Sequence, residues 1–71
     1  MNKHLYEMLK KSAEADQAKA QLSLDFLGTK GVGIGDHSTD DLWNDAEKAL
    51  VLLESATSRL ETLEHYYGKS K

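Results

Sequence analysis

The 71-residue chain carries nine Lys or Arg against twelve Asp or Glu, for a formal charge of −3, with 39% apolar residues, no cysteine and no proline. This allows one domain at most, and so small a domain buries only about 60% of its unfolded surface, with neither disulfides nor thiolate metal sites to supplement it. Scattered basic residues under an acidic balance argue against nucleic acid, whose binding needs clustered Lys and Arg, and no run nears the roughly 18 to 20 apolar residues that cross a bilayer.

The opening Met1-Asn2-Lys3-His4 leads into no long apolar run, so it does not read as a secretory signal and a cytoplasmic protein is expected. Four of the five glycines, Gly28, Gly31, Gly33 and Gly35, gather near the middle. Glycine costs about 1 kcal/mol relative to alanine inside a helix, so the chain divides into helix, loop, helix and a short tail.

The first helix is expected over residues 3–27. Leu5, Leu9, Ala13, Gln17, Ala20, Leu24 and Leu27 recur at steps of three and four and form one stripe, with Gln17 its polar member. Large apolar groups stand at the two ends, while Ala13, Ala18 and Ala20 thin the middle and let another helix approach closely. Gly28 is placed as the C′ residue that ends the helix.

The loop, residues 28–38, runs into the second helix as Gly31-Val32-Gly33-Ile34-Gly35-Asp36-His37-Ser38. Glycine N–H groups leading into a helix start can cradle an anion, which makes Gly31, Gly33 and Gly35 candidates. The stretch has neither the Lys-Ser/Thr ending of a P-loop nor the dinucleotide fingerprint, and carboxylates crowd the place of the phosphate. Counting Asp36 as position 1 also gives Asp36, Ser38, Asp40, the carbonyl of Leu42, Asn44 and Glu47 the ligand spacing of a calcium loop. Asp41 stands where that loop needs glycine, so the plain reading is a permissive turn followed by helix-start residues.

The second helix is expected over residues 39–67, and it alone opens on a strong cap. Ser38 and Asp41 form an aspartate version of the capping box, with Asp40 and Asp45 toward the positive end of the dipole. Leu42, Ala46, Ala49, Leu53, Ala56, Leu60, Leu63 and Tyr67 repeat strictly at 4-3-4-3, the seam of a coiled coil. Gly68 ends the helix and opens the tail, residues 68–71.

Helices of similar length across such a loop favour an antiparallel hairpin. Leu50, Val51, Leu52 and Leu53 are consecutive and point all round the second helix, and a helix apolar on several sides is normally covered on several sides. The all-α fold predicted is therefore a two-helix hairpin, residues 1–71, that dimerises into a four-helix bundle. Leu42, Trp43, Leu50, Val51, Leu52, Leu53, Leu60 and Leu63 are the predicted oligomer interface. The hairpin also brings Tyr6, Tyr66 and Tyr67 to one end, as a partner patch or as the cap of the core, with the seam position of Tyr67 favouring the core.

Chemistry finds little support. His4, His37 and His65 are dispersed, no Glu-x-x-His pair occurs, and the serines lack a histidine and carboxylate at a usable spacing. No metal, cofactor or catalytic residue is expected. The chain reads as a non-catalytic homo-oligomeric interaction protein, an adaptor, inhibitor or assembly element of the size common among phage and bacterial accessory proteins. The rival is a receptor for a small ligand, anion or calcium using the loop from Gly31 to Asp41.

Overall fold

The computed structural model describes residues 1–30 and 39–68. Two helices make up the fold, α1 (Lys3–Lys30) and α2 (Thr39–Tyr67). At 28 and 29 residues they are each about 42 to 44 Å long. They pack on each other along much of their length, and contacts across the pair fix their direction: Tyr6 meets Glu64, Asp16 meets Arg59 and Gln17 meets Thr57. Positions rise in α1 as they fall in α2, which defines an antiparallel hairpin.

Both helices follow the same rule of burial. In α2 the predicted seam faces α1, and its members alternate between full burial (Ala49, Ala56, Leu63) and half-burial (Ala46, Leu53, Leu60). In α1 the matching residues are Tyr6, Ala13 and Ala20, fully buried, with Lys10, Gln17 and Leu24 half-buried between them. Every seventh residue thus sits where the backbones approach most closely. Four of those six are alanine, so no large side chain holds the helices apart over the middle of the pair.

The α1 seam corrects the predicted stripe at its first turns. Leu5 and Leu9 are 47% and 42% exposed, and Tyr6 and Lys10 take their places. The reason is geometric: the steps Leu5–Leu9–Ala13–Gln17 are all fours, each advancing about 40° beyond a full turn. Such a stripe winds round the helix, whereas a facing helix with a strict heptad can follow only alternating fours and threes.

Two helix ends also differ from expectation. Asn2 caps α1, its Oδ1 accepting from the Leu5 N–H at 3.1 Å and its carbonyl from the Tyr6 N–H at 2.9 Å, so the first helix also has a built start. At the far end α1 runs through Gly28 to Lys30 instead of stopping at Leu27. The Thr29 hydroxyl donates to the Asp25 carbonyl at 3.0 Å, and one glycine costs a helix too little to end it when the turns on either side are sound. α2 keeps its predicted bounds, with Asp40 and Asp41 in its first turn. The Gly68 N–H bonds the Glu64 carbonyl at 3.0 Å just past its end. The proposed capping hydroxyl of Ser38 lies outside the described residues.

Candidate interaction surfaces

Several of the described polar side chains join the two helices. The Tyr6 hydroxyl donates to Glu64 Oε2 at 3.1 Å, and Gln17 Nε2 donates to Thr57 Oγ1 at 3.3 Å. Arg59 donates from Nη2 to Asp16 Oδ2 at 2.9 Å, while its Nε lies 3.3 Å from both the carbonyl and the hydroxyl of Ser55. The turn of Ser55 thereby aims the guanidinium across the seam. These pairs reinforce the register that Tyr6 and Leu63 give an otherwise alanine-lined seam.

Of the residues considered for chemistry, Asp36, Gly31, Gly33, Gly35, His37 and Ser38 lie outside the described residues. Asp40, Asn44 and Glu47 are exposed along α2, which is already regular helix from Thr39. Leu42, whose carbonyl the calcium spacing requires, is inside that helix, where carbonyls are directed along the axis to the next turn. Among the described residues no three His, Asp or Glu side chains are grouped to hold a metal ion. No helix among them is long and apolar enough to cross a membrane.

The tyrosines divide, and the division corrects the weight given to Tyr67. Tyr6 is the core residue, 2% exposed, whereas Tyr67 is 39% and Tyr66 69% exposed. Tyr6 stands seven residues before Ala13 and so falls on the closest line of the seam; Tyr67 is the last residue of α2, at the level where α1 is only beginning. Tyr66 sits edge-on to His65 at 4.7 Å between ring centroids, and tilted to Tyr67 at 6.4 Å. An open aromatic end therefore contains Tyr66 and Tyr67 without Tyr6.

The predicted interface residues also divide. Leu63 is buried inside the hairpin, and Leu42, Leu52, Leu53 and Leu60 are half-covered. Trp43, Leu50 and Val51 are 63%, 57% and 66% exposed. Trp43 borders a shallow apolar groove with Leu24, Leu27, Leu42 and Ala46. A second groove, on Leu22, Phe26, Leu27, Ala49 and Leu52, lies along the same end of the hairpin.

What residue-by-residue reading missed is a face of α1. Leu5, Met8, Leu22 and Phe26 are exposed by 47%, 57%, 71% and 57%. Their signal was present in the sequence, since they share one alternation of threes and fours with Ser12, Ala15 and Lys19 between them. Large apolar groups thus lie outside this hairpin while mostly alanines lie inside it, in a class of fold that is otherwise a plain antiparallel helix pair. No family model matches the chain, and no curated protein or solved structure matches it.

Proposed function

We propose that this chain is a non-catalytic interaction protein, an assembly element or adaptor, that works as a homodimer of hairpins in a four-helix assembly. The observation that carries this reading is the inversion of apolar size: among the described residues the large fully buried side chains are Tyr6 and Leu63, while Leu5, Met8, Leu22, Phe26, Trp43, Leu50 and Val51 are more than two-fifths exposed. Burial contributes roughly 1.5 to 3 kcal/mol for each large apolar side chain, so covering even some of these residues with another surface adds substantially to what the hairpin alone provides. Larger exposed apolar patches mark such surfaces.

Sedimentation equilibrium at micromolar concentration tests the reading. A dimer is expected; a stable, cooperatively folded monomer at those concentrations would overturn it.

A further inference from the structure

Building on that reading of self-association, we infer that the outward face of α1 pairs antiparallel with the same face of a second copy. The two α1 helices then form the centre of the dimer, and each α2 lies outside. Leu5, Met8, Ala15, Leu22 and Phe26, with Ser12 and Lys19 as polar members, recur at 3-4-3-4-3-4, the period that one helix presents to another in a coiled coil. All but Leu5 lie two residues beyond a member of the inner seam, hence about 200° round the helix, and all seven are exposed. α1 therefore carries two heptad seams, of which α2 covers one, while Leu22 and Phe26 of the other border the groove that α2 lines with Ala49 and Leu52.

α2 offers no equivalent. Two residues beyond its own seam stand Lys48, Val51, Ser55, Ser58, Thr62 and His65, all exposed and all polar except Val51. The predicted interface on α2 rested on four consecutive apolar residues with Trp43 beside Leu50; the hairpin half-covers Leu52 and Leu53, and Trp43, Leu50 and Val51 stay exposed without forming a second heptad seam.

The occupant follows from the order of residues in the outer seam. Large groups stand at its two ends and small ones at its centre, so a second copy turned end for end sets Leu5 against Leu22, Ser12 against Ala15 and Met8 against the aliphatic stem of Lys19. Beside the seam His4 falls next to Asp25, Lys11 next to Ala18 and Leu9 next to Asp16, so no like charges meet. A parallel pair would instead bring Lys19 against its own copy.

Because the chain has no cysteine, single introduced thiols report the geometry of the intact protein. Leu5→Cys and Leu22→Cys proteins, mixed and oxidised, are expected to cross-link to each other in preference to themselves, while Val51→Cys gives no dimeric product. Leu22→Lys is expected to weaken the dimer by on the order of thirtyfold or more, with helicity followed by circular dichroism, and Val51→Lys to leave it unchanged. Self-linking of Leu5→Cys and of Leu22→Cys would mean a parallel pair and overturn the inference. A dimer that links through Val51→Cys alone would overturn it too, yet leave self-association standing. A monomeric wild-type chain would defeat both.

Discussion

Among the described residues, Tyr6 and Leu63 are the large side chains the helices enclose, at 2% and 9% exposure, and Tyr6 adds a hydrogen bond to Glu64 on the opposite helix. Removing only that hydroxyl leaves the ring in place and returns an exposed carboxylate to water, so Tyr6→Phe is expected to cost about 0.5 to 1.5 kcal/mol in urea denaturation. Tyr6→Ala removes the ring as well and is expected to cost about 3 to 5 kcal/mol, by analogy with other large aromatic truncations. If Tyr6→Phe proved as damaging as Tyr6→Ala, the hydroxyl rather than the ring would anchor this end. The acidic residues at the other end are assigned to starting α2, with Asp40 and Asp41 in its first turn. Accordingly, millimolar calcium is expected to leave the melting temperature unchanged. A saturable rise that Asp36→Ala abolishes would move the reading to a calcium receptor.

At the scale of the elements, the continuity of α1 through Gly28 makes a prediction opposite to that of a helix stop. A methyl group at Gly28 would meet nothing within 4 Å, and the residue lies inside a helix that runs to Lys30. Gly28→Ala is therefore expected to stabilise the protein by about 0.5 to 1 kcal/mol, read as a higher denaturation midpoint. A glycine ending the helix in the left-handed conformation would give a loss instead. Gly68 differs, since a Cβ there would come within 2.5 Å of the Glu64 carbonyl oxygen. The alanine line predicts a second effect. Ala13, Ala20 and Ala56 are fully buried, so Ala56→Leu has to push the helices apart and is expected to destabilise by about 1 to 3 kcal/mol although it adds apolar surface. A neutral or stabilising result would mean that the helices are not in close approach at that level.

The whole molecule is a rod of 51 × 14 × 13 Å with a radius of gyration of 15.9 Å, against about 11 Å for a compact domain of this length. A rod two helices wide has no interior beyond a single seam, and little of the large apolar content can be placed there. Its stability is therefore expected to depend on association. The melting temperature should rise by several degrees between low micromolar and high micromolar protein, as mass action requires when the dimer is the more stable species. A melting temperature independent of concentration over that range would mean that the single hairpin is self-sufficient.

The helical class and the bounds of α2 were legible in the residues because strict heptads, acidic first turns and a terminal glycine are local signals. So was the inner line of α2, since one helix alone specifies which of its own residues share a face. Which of two possible stripes on α1 turns inward was not local. Leu5 and Leu9 are more apolar than Tyr6 and Lys10, and by composition they should have won. The antiparallel pair excludes them because α2 presents a strict heptad that only a matching alternation can follow, and because Tyr6 reaches Glu64 from that line. The same choice left Leu5, Met8, Leu22 and Phe26 outward. Sequence by itself determined that each helix has apolar faces; only the packing of one helix on the other decided which of those faces is spent within the hairpin and which is left exposed.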